Sequence, residues 1–426
     1  MILKKNIPLI LLVLLSFSCT HKTVTDPEDY QVYLTTTIDS SALFENAHFW
    51  TNKIDDNANQ FIYQAKRSGA YASVFSKTGN IDFLIKAEND LIASNEFTNY
   101  NNAGYLKALA VNYISQHRFK EALELLKKAE ANGEKLNGTK KMLFDVHLEL
   151  GNYFHAEAYL KEIKDDSDFD YLIRISKWED HQGNLEGAIQ NMEKAMAIAE
   201  SSNIKSLKQW SYTNIADFYG HAGEIEKSYH YFLKALELDP NDAYAKKGIA
   251  WIAYSYDNKP EDALNILNQV ATYYHAPDYD LLKAEIAEYQ NKSVLKSDAL
   301  QNYQRIVKNK AYGVMYNGYN VIFYTDELVI PELAIEIAKA EVKNRPTPQS
   351  YDLLAWSYFK QGNVEKANDI IETYVDGKTF EPAVLYHVAE IYKATGKTDQ
   401  IKPLKEELTA SLYELGPLMK QKINQL

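Results

Sequence analysis

Between Gln209 and Tyr254 the apolar positions fall on a helical period. Trp210, Tyr212, Ile215, Ala216 and Tyr219 form one stripe. Gly223 interrupts it, and Ile225, Ser228, Phe232 and Ala235 form a second, which ends at Leu238-Asp239-Pro240. Repeats of three and four, broken by Gly and closed by Pro, predict two antiparallel helices joined by a tight turn. The pattern recurs along the chain. The small residues Ala122, Ala156, Ala188, Ser228 and Ala263 lie 34, 32, 40 and 35 positions apart, and Ala299, Ala334 and Ala367 continue at 36, 35 and 33. Turn signals stay in phase at Gly79-Asn80, Gly151-Asn152, Gly183-Asn184, Gly362-Asn363 and Gly396. The seventh unit (Ile286 to Tyr303) is weak, and in the eighth Asp326-Glu327 stands where the turn Gly is expected. No segment calls for a strand.

The order aromatic, small-bulky, Gly turn, small residue, bulky residue, Pro resembles the tetratricopeptide repeat (TPR), a helical hairpin of about 34 residues. Small residues let its two helices approach and bulky ones fill the gap, while the outer face must be buried by a neighbouring hairpin. The resemblance implies an all-α fold, a right-handed α-solenoid of about ten TPR-like helix-turn-helix repeats with capping helices. Expected bounds are an N-terminal cap at 42–64, a solenoid at 65–415 and a C-terminal cap at 416–426. Each unit is expected to lean on its sequence neighbours, leaving an open curved surface in which distant segments do not touch.

Residues 1–18 change the picture at the amino end. Lys4 and Lys5 precede an apolar run from Ile7 to Leu15 and then Ser16-Phe17-Ser18, the layout of a secretory signal. The single cysteine, Cys19, follows directly. This arrangement resembles a bacterial lipoprotein signal of the relaxed, Bacteroidetes type, with Ser16 where Leu is usual. It implies lipidation at Cys19 and a place in the cell envelope, on the outer membrane, facing the periplasm or the cell surface. An ordinary signal peptide beside an unrelated Cys is the alternative. The Thr-, Ser- and Asp-rich stretch at 19–41 has no helical period and is expected to be a flexible tether.

Charge narrows the partners. With 46 Lys+Arg against 58 Asp+Glu, the chain repels nucleic acid and anionic lipid headgroups, so neither is expected to bind its surface. A protein or peptide of the envelope is expected instead, with the membrane reached only through the N-terminal lipid. The 32 Tyr suit both inter-helix packing and a ligand-facing groove.

No catalytic or metal motif is present, and no cofactor, metal or enzymatic activity is expected. His181 and His221 sit at equivalent positions one unit apart, but without a matched carboxylate they read as surface histidines. Asp165, Asp166, Asp168 and Asp170 lack the Gly of a calcium loop and read as a solvated acidic linker. The resemblance then implies binding, with helix A of each unit lining a concave groove. The groove positions carried onto this chain are Trp210, Thr213 and Asp217 in the fifth unit and Tyr316, Tyr319, Phe323 and Asp326 in the eighth. The ninth gives Asp352, Trp356 and Phe359, and the tenth gives Tyr386, Glu390 and Lys393. These residues either anchor a partner or pack against the next A helix. A basic carboxylate clamp is absent. A second resemblance, to SusD-type lipoproteins that bind nutrient glycans, shares the lipid anchor, helices and aromatics but calls for long Gly- and Pro-rich insertions, whereas the loops here are short.

Overall fold

The computed structural model describes residues 23–35, 41–56 and 61–426. The expected signal segment and Cys19 lie outside them. Among the described residues every element is helical. Ten hairpins follow one another. Hairpins 1 to 5 are Phe61–Thr78 with Ile81–Phe97, Ala103–Ser115 with Phe119–Asn132, Leu136–Glu149 with Tyr153–Glu162, Phe169–His181 with Leu185–Ser202, and Lys205–His221 with Ile225–Leu238. Hairpin 6 is Ala243–Trp251, extended by a π-helical turn Ile252–Tyr256, with Pro260–Val270. Hairpin 7 is Asp278–Tyr289 with Ser293–Val307. Hairpin 8 is Asn317–Ile322, extended by the π-turn Phe323–Glu327, with Pro331–Asn344. Hairpins 9 and 10 are Pro348–Lys360 with Val364–Tyr374 and Pro382–Ala394 with Thr398–Ala410. The α-solenoid of about ten TPR-like hairpins is thus the observed fold.

One backbone rule makes every turn. Two residues before each second helix the chain passes through a single left-handed residue. In six hairpins it is Gly, and in the others His117, Asn258, Asn291 and Val329. A left-handed residue stops the first helix and reverses the chain at little cost when it is Gly. Asn80, Asn184 and Asn363 then cap the next helix by accepting from the N–H of Asp82, Gly187 and Lys366. The turn of hairpin 8 is therefore made at Val329, not at Asp326-Glu327, which belong to the π-turn before it. An exposed β-branched residue in this conformation is strained.

The small residues do what their period requires. Ala122, Ala156, Ala188, Ser228, Ala263, Ala334 and Ala367 are fully buried where two helices meet. Ala299, in the weak seventh unit, is only partly covered, and its helix leaves Val294 and Leu295 exposed.

Three expectations are corrected. First, distant segments do touch, because the solenoid coils until its second half closes on its first. The His275 N–H donates to the Thr78 carbonyl at 2.9 Å, and Lys77 pairs with Asp239. The Asn344 amide donates to the His117 carbonyl at 3.2 Å, and Arg345 pairs with Glu149 at 3.2 Å. The Phe380 ring lies against Gly183. The turns of hairpins 1–4 thereby meet the loops following hairpins 5, 6, 8 and 9, a contact no local pattern encodes.

Second, the expected tether at 19–41 is docked in its described part. Asp257 accepts from the Val24 N–H at 2.8 Å, the Thr25 N–H at 2.7 Å and the Thr25 hydroxyl at 2.6 Å. A helix, Pro27–Thr35, then buries Tyr30 and Leu34 against hairpins 5 and 6. The Tyr229 hydroxyl also bonds the Asp26 carbonyl and the Asp29 carboxylate, both at 3.1 Å, so polar and apolar contacts together hold the helix.

Third, the N-terminal cap ends earlier than residue 64. Ser41–Asp56 is one helix, and Phe61 already begins hairpin 1. At the other end Leu412–Leu415 forms a short turn of helix and Met419–Asn424 a cap that buries Ile423.

Candidate functional site

The inner helices of hairpins 5 to 8 bring their side chains to one concave surface. Asp217 accepts from the Tyr244 hydroxyl at 2.6 Å. Lys247 pairs with Asp278 at 2.6 Å and lies 4.9 Å from the centre of the Tyr279 ring. The Tyr316 hydroxyl reaches the same Asp278 at 3.4 Å, and the Tyr319 ring sits 5.7 Å from that of Tyr316. Tyr244 and Tyr319 stay 53% and 48% exposed, so each keeps surface open toward solvent. Next to them a cavity of about 310 Å³ is lined by Asp217, Gly220, Ser228, Lys247, Trp251 and Tyr413.

Of the groove residues expected from the sequence, Asp217, Tyr316 and Tyr319 are gathered here. Trp210 is 39% exposed but faces a separate cavity of about 1010 Å³, beside Lys77, Asn241 and Asp242. Thr213 turns its hydroxyl back onto its own helix, donating to the Trp210 carbonyl at 3.0 Å. Phe323, Asp352 and Trp356 are buried. Trp356 stacks on His387 at 4.0 Å and donates to Asp326 at 3.1 Å. Asp352 bonds His387 at 2.8 Å, and Phe359 and Tyr386 pack at the edges of Trp356. At Phe323 in hairpin 8, and in hairpins 9 and 10, the same helical positions therefore serve packing between A helices.

The expectation missed Tyr244, Lys247 and Trp251. They stand one 34-residue period after Trp210, Thr213 and Asp217, so the positional rule already applied to hairpin 5 points to them. Glu285, one period beyond Trp251, continues the row and accepts from the Tyr254 hydroxyl at 3.2 Å. The acidic run before hairpin 4 is also more than a linker. Asp168 caps the helix by accepting from the Asp170 N–H at 3.0 Å, and the buried Lys141 pairs with both. His181 and His221 line one cavity of about 230 Å³ with Asp180, Glu381 and Glu414. Among the described residues no group of three or more His, Cys, Asp or Glu could hold a metal ion, and no helix is long and apolar enough to cross a membrane.

Burial shapes the electrostatics. It pushes Asp217 up to about 6, against the pull of Tyr244 and Lys247. It raises Glu285 to about 7, helped by Glu288, and Glu414 to about 7, helped by Glu381 and Asp180. A carboxyl raised in the folded state contributes stability that is complete below its ordinary pKa and is lost as pH rises through the raised one. Glu285→Gln keeps an acceptor for Tyr254 and removes that titration. Between pH 5 and 8 the unmodified chain is expected to lose on the order of 2 kcal/mol relative to this variant. Urea unfolding of both at several pH values measures the difference, and parallel profiles would refute it.

Residues 211–242, most of hairpin 5, match the tetratricopeptide repeat family model. The hairpins are TPR-like repeats. A TPR repeat-containing protein of Methanocaldococcus jannaschii is 26% identical over 337 residues, 69% of this chain, and the match spans 56% of that protein's length. Among solved structures, a human IFIT1 dimer with m7Gppp-AAAA is 14% identical with a TM-score of 0.48, covering 76% of this chain and 75% of that one. A tetratricopeptide repeat protein from Parabacteroides merdae is 16% identical with a TM-score of 0.40, covering 66% and 95%. Stacked helical repeats of this architecture build an extended concave surface. In this one the inner row of TPR positions is filled by Tyr, Lys and Trp in hairpin 6 and by Tyr in hairpin 8.

Proposed function

We propose that the chain is a lipid-anchored TPR scaffold of the bacterial cell envelope, carrying no chemistry of its own, that docks a protein or peptide partner in the groove of hairpins 5 to 8. The observation behind the docking reading is the half-exposed pair Tyr244 and Tyr319, flanked by Asp217, Lys247 and Asp278. Rigid aromatics rimmed by polar groups are the usual anchors of a protein interface. The lipid reading rests on the charged, apolar and small-residue order ahead of Cys19.

A photo-crosslinking amino acid at position 319 tests the groove in cells. It is expected to capture a defined protein that the same group at position 154 does not, Phe154 being 80% exposed on the second helix of hairpin 3. Tyr244→Ala in the same chain is expected to reduce that capture at least about ten-fold while helicity is unchanged. Equal capture at both positions would sink the groove assignment. Cys19→Ser is expected to move the chain out of the membrane fraction, and persistence there would sink the anchor.

A further inference from the structure

The groove is not empty of peptide. Beyond hairpin 10 the chain turns back as a strap, Ser411–Gly416, and enters the concave surface more than 150 positions away in sequence. The carbonyl of Tyr413 accepts from the Trp251 indole N–H at 3.1 Å and from the Ser255 hydroxyl at 2.7 Å. The Tyr413 ring lies over Gly220, where an added Cβ would stand 3.0 Å from the ring, so a side chain there would push the ring away by a few tenths of an ångström. Gly220 is the next-to-last residue of the helix Lys205–His221, in the turn that leads to Gly223. Gly416 has φ +80°, and a Cβ on it would meet Glu285 at 2.7 Å and Trp251 at 3.1 Å.

Leu412 and Leu415 pack on the C-terminal core and Tyr413 borders that of hairpins 5 and 6, but three features set the Tyr413–Glu414 tip apart from ordinary core packing. The cavity of about 310 Å³ remains open beside Tyr413, so the ring does not fill its site. Glu414 is carried next to Glu381 and Asp180, and the base nearest it is His221 at 3.9 Å, so charge opposes the insertion. Side chains of hairpin 6 hold a main-chain carbonyl, the mode by which a groove binds a peptide whatever its flanking sequence.

We propose that Ser411–Gly416 is an internal ligand of the groove and displays the chemistry of the partner: a peptide turn presenting a tyrosine ring over Gly220 and its carbonyl to Trp251 and Ser255. This rests on the docking reading above and narrows it. The partner's tyrosine replaces Tyr413, and the strap is displaced. Because a tethered segment competes at an effective concentration near the millimolar range, the unaltered chain binds such a peptide weakly, and release of the strap uncovers the site.

The test uses the full chain and a fluorescent peptide of residues 407–418, with a control peptide in which its tyrosine is replaced by alanine. Tyr413→Ala removes the competing ring. Gly416→Ala strains the φ +80° turn and crowds Trp251 and Glu285, which is expected to dislodge the strap while Trp251 and Ser255 themselves stay in the chain. By fluorescence anisotropy, each variant with native helicity is expected to bind the tyrosine peptide at least about ten-fold more tightly than the unaltered chain, and to prefer it over the control by a similar factor. Ser255→Ala added to Gly416→Ala is expected to lower that gain. In the unaltered chain, excess tyrosine peptide is expected to speed hydrogen exchange at Leu412 to Leu415. The proposal is overturned if the variants gain no affinity or bind both peptides alike, or, should both variants unfold, if that exchange is unchanged. Peptide binding without capture at position 319 in cells would defeat the scaffold reading alone, and capture without peptide binding would defeat only the internal ligand.

Discussion

Trp356→Ala is expected to lower the free energy of unfolding by roughly 3–5 kcal/mol. The indole is 4% exposed, stacks within 14° of parallel on His387, touches Phe359 at 5.3 Å between centroids and donates to Asp326. Truncation leaves a ring-sized void and an Asp326 that keeps only Lys360, at 3.0 Å. It also uncovers one face of the buried His387–Asp352 pair, whose second carboxylate oxygen already lacks a partner. Urea unfolding followed at 222 nm measures the loss. The outcome also discriminates between two roles, since a ligand-facing indole would cost less than about 1 kcal/mol and show its effect in partner capture. A small loss would return Trp356 to the groove.

Gly248→Ala is the second large effect, and its sign runs against helix propensity. An exposed helical Gly→Ala change stabilises by about 1 kcal/mol. At Gly248 an added Cβ would lie 2.3 Å from Cζ of Phe232 and 2.5 Å from Cε2. That ring is 2% exposed and belongs to the core between hairpins 5 and 6, so it has nowhere to swing. Overpacking of this kind costs roughly 1–3 kcal/mol, and a net loss of about 1–2 kcal/mol is expected. Phe232→Leu combined with Gly248→Ala should be less damaging than the sum of the two, because one change makes room for the other. Additive losses, or a gain from Gly248→Ala alone, would refute the packing account.

The fold was legible because it is written locally. A small residue every 32 to 40 positions and a turn residue in phase with it encode contacts between neighbours, and those contacts are most of the structure. Closure of the coil was not legible, since Arg345 with Glu149 or Asn344 with His117 depends on small rotations summed over six hairpins. The site was half legible for the same reason. A positional rule marks which residues face inward, and it found Asp217, Tyr316 and Tyr319. It does not say whether the coil leaves an inward residue open, as at Tyr319, or covers it with the next A helix, as at Trp356 and Phe323. Tyr413 lay beyond any periodic signal, since the strap is not a repeat.

The carboxylate of Asp257 has a geometric consequence for a membrane-bound molecule. It fixes the chain at Val24 and Thr25, and Cys19 lies only five positions before Val24. Five fully extended residues reach about 17 Å at most. With Cys19 in lipid as proposed, the leash is shorter than a helix of the body, so the molecule stands close to the bilayer in a restricted pose. The berth of that leash is on the second helices of hairpins 5 and 6, while the strap enters against their first helices. A visitor would thus approach from the aqueous side, and loosening Asp257 would change the standoff without touching the mouth of the groove.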